Sequence, residues 1–356
     1  MGKFLRIFAF PIALCYGFFM RIRNTCFDLG LFCKSTSYSI PIISLGNLTV
    51  GGTGKTPHIE YLIRLLNPHM RVATLSRGYG RSTRGYRLAG KHDTAKTIGD
   101  EPMQYVYKFK KLVVCVSESR RTGIKNLMKL KHKPDVILMD DAYQHRWVKP
   151  GLSVLLTDFH KLYTEDYLLP TGSLREPARF SNRADVIIVT KSGKVLSPIT
   201  RRNILEQLSP LPHQKLYFSY ITYEKLTPLP GIHCPDPGDC YSTLVLFSGI
   251  ANTYPLKYYL KRYCTELVEL EFSDHHQYTS KDIREVLTAY NDIFSKNKAI
   301  VTTEKDAMRL QDSDLLAHFK GIPIYYIPIK IAFHNEDGEL FDKDVLSCIS
   351  STKRKI

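Results

Sequence analysis

The sequence has no C-x-x-C pair, no repeat of fixed period and no low-complexity tract. Its eight cysteines are scattered, and most stand in apolar runs, so we predict reduced thiols rather than a disulfide framework or a zinc site. Acidic residues are also few. The chain has 34 aspartates and glutamates but 50 lysines and arginines, so its formal net charge is +16. This excess favours an anionic partner: a phosphorylated substrate, an acidic membrane surface or nucleic acid.

A hydrophobic run long enough to cross a membrane is missing as well. The apolar and aromatic stretch 4–20 has 17 residues, among them an arginine and a proline. At about 1.5 Å per residue it is shorter than the ~30 Å hydrocarbon core. No small-residue cleavage site of a signal peptide follows it. Because Arg21 and Arg23 come next, we predict that region 1–35 is a membrane-associating helix lying in the bilayer interface, with a buried core helix as the alternative.

Short apolar runs alternate with helix-length amphipathic segments in the rest of the chain. The runs predicted as strands cover 41–45, 72–75, 112–116, 136–139, 153–156, 186–189, 216–220, 244–247, 299–301 and 322–327. The segments predicted as helices include 58–66, 255–263 and 280–295. Continuous apolar strands separated by helices predict an α/β fold with a parallel sheet covered on both faces.

A proline-rich stretch at 209–239 divides this pattern into two parts. We place a domain boundary near residue 212, between a core domain over 36–212 and a smaller C-terminal α/β domain over 213–356. The alternative is a single domain with a long insertion.

A glycine-rich segment after the first predicted strand has the features of a phosphate-binding loop. It reads Thr49-Val50-Gly51-Gly52-Thr53-Gly54-Lys55-Thr56 and precedes a predicted helix. Glycines allow backbone N–H groups to curl around phosphate oxygens, and the helix N-terminus adds partial positive charge. Lys55 can reach the β- and γ-phosphates, and the Thr56 hydroxyl can ligate Mg²⁺. The strict pattern has glycine at the position of Thr49, but the segment still predicts a nucleoside triphosphate site.

Two further groups of polar residues stand at the ends of predicted strands or helices. Asp140 and Asp141 close an apolar strand, as in a Walker B motif, and one of them can hold Mg²⁺. Asp100 and Glu101 stand in a predicted loop before a helix, where they can cap the helix, ligate metal or accept a proton. Asp274-His275-His276 follows an apolar run, and by itself this segment is typical of a polar loop.

These motifs, taken in order, resemble the tetraacyldisaccharide 4′-kinase family. The set consists of Gly46-Asn47-Leu48 before Gly51 to Pro57, Ser76 to Arg81, Gly99 to Pro102, Asp140-Asp141 with Gln144-His145, Leu169-Pro170 with Gly172 to Pro177, Asp274-His275-His276, and Thr303 to Ala307. It covers most of the chain, and the ordered combination is highly specific. One departure is Ala142-Tyr143, where the family usually has Gly-Phe.

The resemblance implies an ATP-dependent kinase of lipid A biosynthesis, with a P-loop NTPase-like parallel sheet domain, a second, smaller α/β lobe and the active site between them. The implied substrate is a tetraacylated glucosamine disaccharide 1-phosphate, which receives the γ-phosphate of ATP on its 4′-hydroxyl. Asp100 and His275 correspond to the residues that act on this hydroxyl. Glu101 corresponds to a residue tied to Mg²⁺, together with Thr56.

The remaining site predictions concern residues around the phosphates. Asp140 and Asp141 are assigned to the catalytic group. Three arginines are candidates to hold the substrate 1-phosphate or the ATP phosphates, namely Arg77, Arg81 and Arg175. Gln144 and His145 are assigned to substrate binding.

The partners that the resemblance implies are the lipid A precursor and an anionic membrane surface, with no nucleic acid. We expect a peripheral or monotopic monomer on the cytoplasmic face of the bacterial inner membrane. One alternative is a membrane-associated P-loop ATPase or GTPase switch, although Thr190-Lys191 lacks the aspartate of a base-reading loop. Another alternative is a nucleic-acid-binding ATPase, suggested by the charge but supported by no recognisable module.

Overall fold

The fold is that of a computed structural model, which describes residues 3–31, 33–274, 276–311 and 313–354. Within these residues the α-helices are α1 (Lys3–Leu29), α2 (Lys55–Leu66), α3 (Ala95–Ile98), α4 (Asp100–Lys108), α5 (Arg120–Met128), α6 (Pro198–Leu208), α7 (Tyr254–Leu260), α8 (Ser280–Asn291), α9 (Glu304–Arg309), α10 (Ser313–Ala317) and α11 (Asp337–Arg354). The strands are β1 (Ile42–Asn47), β2 (Val72–Ser76), β3 (Arg87–Leu88), β4 (Val113–Val116), β5 (Val136–Asp140), β6 (Leu152–Asp158), β7 (Val186–Thr190), β8 (Lys215–Tyr223), β9 (Thr227–Pro228), β10 (Tyr241–Ser248), β11 (Cys264–Glu271), β12 (Lys298–Thr303), β13 (Ile324–Ile327) and β14 (Ile329–Phe333).

The chain forms two compact units. Unit 1 consists of the residues up to Lys91, Tyr105–Ile221 and the residues from Ile331. Unit 2 consists of His92–Gln104 and Thr222–Lys330. This division differs from a single boundary near residue 212, because β8 continues the large sheet beside β7 and the segment from Ile331 returns to unit 1.

A nine-stranded sheet, with the order β14-β8-β7-β6-β1-β5-β2-β4-β3, contains the strands of unit 1. β1 pairs in parallel with β5 on one side and with β6 on the other. Every residue of β1, β5 and β7 is buried. Strands covered on both faces need apolar side chains in both directions, which explains their continuous apolar runs. The predicted α/β class with a parallel sheet is therefore confirmed.

The helix after β1 packs on this sheet through one apolar face. Ile59, Leu62 and Ile63 of α2 lie in the same buried cluster as Ile43 and Leu45 of β1. This apolar face recurs at helical spacing, as the sequence predicts. Packing of α2 against its own preceding strand holds both ends of the intervening glycine-rich loop.

Unit 2 has a smaller sheet with the order β11-β10-β12-β13-β9. Its first four strands are parallel neighbours, and only β9 pairs antiparallel. Phe247 of β10 stacks on Phe319, with ring centroids 6.5 Å apart, in the core of this unit. The predicted helix 280–295 ends earlier, at Asn291, where Asp292 forms its C-cap.

Helix α1 packs on the rest of unit 1 through a few polar side chains on one face. The Tyr16 hydroxyl donates to the Arg175 carbonyl at 2.7 Å, and Arg23 donates to the Gln144 carbonyl at 2.7 Å. Asn24 donates to the buried Glu176 carboxylate at 3.3 Å. The remaining surface of the helix exposes large apolar side chains, namely Phe10, Ile12, Leu14, Phe18, Phe19 and Ile22. In the described part of the chain, no helix has the length and apolar character needed to cross a bilayer.

Candidate functional site

The glycine-rich loop lies between the end of β1 at Asn47 and the start of α2 at Lys55. Gly51 and Gly54 have φ angles of 108° and 84°, in the region where a side chain would strain the backbone. Gly54 is also the N-cap residue of α2, so no side chain competes for the first N–H groups of the helix. This is the backbone arrangement that binds anions at helix N-termini.

Thr49 stands where the strict loop pattern has glycine, and its environment explains why threonine fits. The residue forms an antiparallel bridge with Leu174, and the next N–H, of Val50, donates to the Ser173 carbonyl at 2.7 Å. A bridge of this kind needs extended backbone, which any residue adopts. The glycine requirement therefore starts only at Gly51.

Lys55 extends toward the carboxyl ends of the neighbouring strands. Its ammonium lies 3.3 Å from the Asn47 side-chain oxygen and 3.7 Å from Asp141. β1 and β5 pair with Leu45 opposite Asp140, so the ends of both strands lie side by side. The predicted lysine and paired aspartates of the nucleotide site therefore come together in unit 1.

The two aspartates at the end of β5 have different surroundings. Asp140 is buried and accepts a hydrogen bond from the Tyr105 hydroxyl at 2.9 Å. Asp141 has a φ of 45°, and both of its oxygens lie 3.1 Å from Arg175. Burial acts to raise the pKa of Asp141, but Lys55 and Arg175 lower it below its usual value. Asp141 is thus held as a carboxylate between two cations.

Arg120 is a functional candidate that the sequence reading missed. It opens α5, is 3% exposed, and donates to the Asp140 carbonyl at 3.1 Å. Burial lowers its pKa to about 10, against the opposing effect of Asp140 and Asp141, so it remains charged at neutral pH. No local pattern indicates this contact, because α5 and β5 meet only in the folded chain.

Gln144 and His145 lie close to the same strand ends. The Gln144 amide donates to the Asn47 carbonyl at 2.8 Å, and Arg175 lies 3.5 Å from the Gln144 side-chain oxygen. Burial and the charges of Arg120, Arg23 and Arg77 lower the pKa of His145 to about 4. His145 is therefore neutral at physiological pH, and its buried Nε2 has no hydrogen-bond partner in the described residues.

The other two predicted arginines have unequal surroundings. Arg81 forms an ion pair with Glu118 and donates to the Gly85 carbonyl at 2.6 Å, so it ties down the loop before β3. Arg77 is exposed at the end of β2, and its charge acts on Arg120 and His145. Of the two, only Arg77 lies near the strand ends with its side chain in solvent.

Asp100 and Glu101 belong to unit 2 and open α4, so they are not the loop residues that the sequence predicts. The Asp100 carboxylate accepts a hydrogen bond from Arg309 Nε at 2.9 Å, and Glu101 lies 3.5 Å from the Lys305 ammonium. Arg309 also bonds to the buried Asp306 at 2.9 Å. The sequence reading missed Arg309, which follows the Thr303 to Ala307 motif by two residues.

His275 is the histidine predicted to act with Asp100. His275 lies outside the described residues. Its neighbour His276 is described and bonds through Nε2 to Asp282 at 3.0 Å, next to the capping box of α8. The role of His275 stays a prediction.

The oxygen donors of unit 1 fit a magnesium ion. Thr56 is buried in the first turn of α2 and directly follows Lys55, whose ammonium lies 3.7 Å from Asp141. Mg²⁺ takes oxygen ligands, keeps several waters and commonly uses one or two protein ligands together with substrate phosphates. A complete protein cage is therefore not required, and among the described residues no three His, Cys, Asp or Glu side chains form one.

The chain is similar to proteins of one family over nearly its whole length. A family model described as LpxK, tetraacyldisaccharide-1-P 4′-kinase, matches residues 5–347. A tetraacyldisaccharide 4′-kinase of Parabacteroides distasonis is 44% identical over 347 residues, which cover 96% of this chain and 94% of the relative. One from Flavobacterium johnsoniae is 42% identical over 350 residues, with 97% of each chain covered. The crystal structure of the "apo" form of LpxK from Aquifex aeolicus in complex with ATP matches with a TM-score of 0.73 and 27% identity, covering 97% of this chain and 99% of that one.

Proposed function

The chain belongs to the tetraacyldisaccharide-1-P 4′-kinase family, and from this premise we propose which of its residues carry out the reaction and where. The activity is the ATP-dependent phosphorylation of a tetraacyldisaccharide 1-phosphate at its 4′-hydroxyl, a step of lipid A biosynthesis. The family match over residues 5–347 is the observation that carries this function.

The residues of unit 1 bind the triphosphate of ATP. The amides of the loop from Thr49 to Thr56 surround the phosphates, and Lys55 contacts the β- and γ-phosphates. This assignment is supported by the positive φ angles of Gly51 and Gly54 and by the position of Lys55 beside Asp141. The lysine then stays in place as negative charge on the transferring group shifts toward the leaving oxygen.

Thr56, Asp140 and Asp141 would hold Mg²⁺, and Glu101 is a further candidate ligand. The bound ion supplies charge neutralisation for the phosphoryl oxygens. Asp141 is already ionised between Lys55 and Arg175. It could therefore bind a metal cation in place of one of these side chains without first losing a proton. Asp140 is oriented by the Tyr105 hydroxyl at 2.9 Å.

Asp100 acts as the general base for the 4′-hydroxyl, and His275 assists it. A carboxylate that accepts the hydroxyl proton has to point in a fixed direction. The hydrogen bond from Arg309 Nε to Asp100, at 2.9 Å, supports such an orientation. Arg309 is itself held by Asp306 and by the Gly249 carbonyl at 3.1 Å, so the whole arrangement is fixed within unit 2.

The anionic groups of the two substrates are bound by the basic and polar residues around the strand ends. Arg77 and Arg175 are the main candidates, with Gln144 and His145 beside them, because phosphate favours guanidinium and neutral hydrogen-bond donors. Arg81 contributes to substrate binding indirectly, because its ion pair with Glu118 fixes the loop before β3. Arg120 adds a positive charge near this group and donates to the Asp140 carbonyl at 3.1 Å.

The enzyme works as a monomer on the cytoplasmic face of the inner membrane, bound peripherally through α1. Phe18 and Phe19 of this helix are 62% and 68% exposed. Their burial in the acyl boundary, with Arg21 at the headgroups, matches an interfacial helix. The substrate's acyl chains can then stay in the bilayer during the reaction. Arg23, which the sequence also assigned to the headgroups, instead bonds to the Gln144 carbonyl at 2.7 Å and pairs with Glu176 at 3.5 Å.

The double variant Phe18→Ser/Phe19→Ser is expected to bind vesicles of anionic phospholipid at least about 100-fold more weakly, because each buried aromatic ring contributes about 1.5–3 kcal/mol and every ~1.4 kcal/mol is tenfold in affinity. Co-sedimentation with such vesicles measures the loss. The matched control is Val195→Ser/Ile199→Ser, since these side chains are 91% and 74% exposed elsewhere on unit 1. An equal loss in both double variants, or none in the first, would contradict a specific role of α1.

Incubation with γ-labelled ATP and a panel of acceptors tests the reaction itself. Label is expected on tetraacyldisaccharide 1-phosphate and not on the same lipid lacking a free 4′-hydroxyl. Omission of lipid should reduce ATP consumption to a small residual rate, because the phosphoryl acceptor is then absent. Rapid ATP hydrolysis without lipid would instead indicate the P-loop switch alternative.

A further inference from the structure

Two consecutive carbonyl groups of the phosphate loop are held by side chains that have no part in the chemistry above. The Thr190 hydroxyl, at the end of β7, donates to the Thr53 carbonyl at 2.9 Å. The His58 Nδ1, one turn into α2, lies 2.7 Å from the Gly54 carbonyl. Both side chains are 1% exposed. Polar side chains are rarely buried this completely unless their hydrogen bonds serve the structure around them.

The direction of a carbonyl determines the direction of the next N–H group. A trans peptide is planar, so its C=O and the N–H of the following residue point in opposite directions. A tether on the Thr53 carbonyl therefore orients the Gly54 N–H, and a tether on the Gly54 carbonyl orients the Lys55 N–H. These are two of the amides expected to face phosphate in a loop of this kind.

His58 is itself anchored at its other ring nitrogen. Nε2 lies 3.0 Å from the Ser219 hydroxyl, and Ser219 is a fully buried residue of β8. Burial lowers the pKa of His58 to about 4, so the ring is neutral and carries a single N–H. Because a carbonyl can only accept, that hydrogen is on Nδ1, and Nε2 accepts from Ser219.

Further bonds strengthen this connection between the loop and the sheet. The Ser192 hydroxyl donates to the Ser219 carbonyl at 2.9 Å. Ser192 also lies 2.9 Å from the His334 Nε2. Thr190 has a second, longer contact to the Thr157 carbonyl at 3.2 Å. The phosphate loop is thereby connected to the ends of β6 and β7 and to the middle of β8 by buried hydrogen bonds, in addition to its covalent link to β1 and α2.

We propose that Thr190 and His58 are positioning residues for ATP, which hold the Gly54 and Lys55 amides toward its phosphates through the Thr53 and Gly54 carbonyls. This inference rests on the proposed binding of ATP by the loop. It also gives Thr190 a role other than reading a nucleotide base. The hydroxyl faces the loop backbone, and its partner is a main-chain atom.

The test compares isosteric and conservative variants of both residues. Thr190→Val removes only the hydroxyl, whereas Thr190→Ser keeps it. His58→Leu removes both ring nitrogens, and His58→Asn keeps an amide N–H near the position of Nδ1. Thr190→Val and His58→Leu are expected to raise both the KM for ATP and the Kd for a non-hydrolysable ATP analogue about tenfold, the usual effect of one lost hydrogen bond.

The conservative variants are expected to recover most of this loss, with Thr190→Ser within about twofold of the unchanged protein. A merely structural role would reduce the amount of active enzyme, and so the apparent kcat, while leaving KM unchanged. His69→Leu is the matched control, because His69 is exposed just after α2. Ser219→Ala offers a milder route should His58→Leu not fold, since it leaves the ring in place and removes only its anchor; its KM for ATP should rise in the same direction.

The outcomes separate this inference from the proposed function. Failure of the unchanged protein to bind the ATP analogue would reject ATP binding by the loop. Normal binding by the unchanged protein and equally tight binding by Thr190→Val and His58→Leu would reject the positioning role alone. A KM that stays constant while kcat falls would likewise reject it.

Discussion

Replacement of Lys55 by alanine is expected to lower kcat for lipid phosphorylation about 10²- to 10³-fold, the usual cost of removing one preorganised group that stabilises transition-state charge. The ammonium lies beside Asn47 and Asp141, at 3.3 Å and 3.7 Å, and the loop amides around it do not depend on the side chain. The fold should therefore survive while the charge is lost. Initial rates with labelled ATP at saturating acceptor measure the effect, and thermal unfolding checks the fold.

Two further lysine variants make this result specific. Lys125→Ala removes an exposed lysine of α5 and should leave the rate unchanged. Lys55→Arg keeps the positive charge but replaces a compact ammonium by a planar fork, so it should recover only part of the activity. A Lys55→Ala enzyme with nearly full kcat would remove the lysine from the phosphate site.

Replacement of Asp100 by asparagine is expected to lower kcat about 10²- to 10⁴-fold, the range typical of a lost general base. Asparagine keeps the size of the side chain and can still accept a hydrogen bond from Arg309, but it cannot take the hydroxyl proton. The KM for ATP should change little, because the loop proposed to bind ATP belongs to unit 1 and Asp100 to unit 2. Steady-state kinetics with varied ATP separate the two parameters.

The control for Asp100 has to account for its bond with Arg309. Asp292→Asn changes an exposed aspartate of unit 2 and should have no effect on kcat. Thermal unfolding of the Asp100→Asn protein reports whether Arg309, which keeps its contact with Asp306 at 2.9 Å, tolerates the loss of one carboxylate. A stable variant with normal kcat would require another base for the hydroxyl.

The parts of the site that are local in sequence were predictable. Strand, glycine-rich turn and helix follow one another within residues 42–66, and each has its own local signal: an apolar run, positive-φ glycines and an amphipathic face. Asp140 and Asp141 could be assigned to the same edge, because parallel strands end together. Even the threonine at position 49 is explained by its extended backbone.

The parts that depend on distant contacts were not predictable. Arg120 and Arg309 look like ordinary helix residues until α5 meets β5 and α9 meets the start of α4. The assignment of His92–Gln104 to unit 2 has no signal in composition. Strand β8 was recognised as an apolar run, but its pairing with β7 in the large sheet required the structure.

The return of the chain to unit 1 after Lys330 has a consequence for how the protein is synthesised. Phe341, Val345 and Ile349 of α11 are buried in the same cluster as Ile43 of β1. The ribosome synthesises unit 2 before these residues. One apolar surface of the large sheet therefore stays uncovered until translation is almost finished. A stop codon shortly after residue 330 would therefore damage unit 1, which contains the glycine-rich loop, rather than unit 2, which has just been completed.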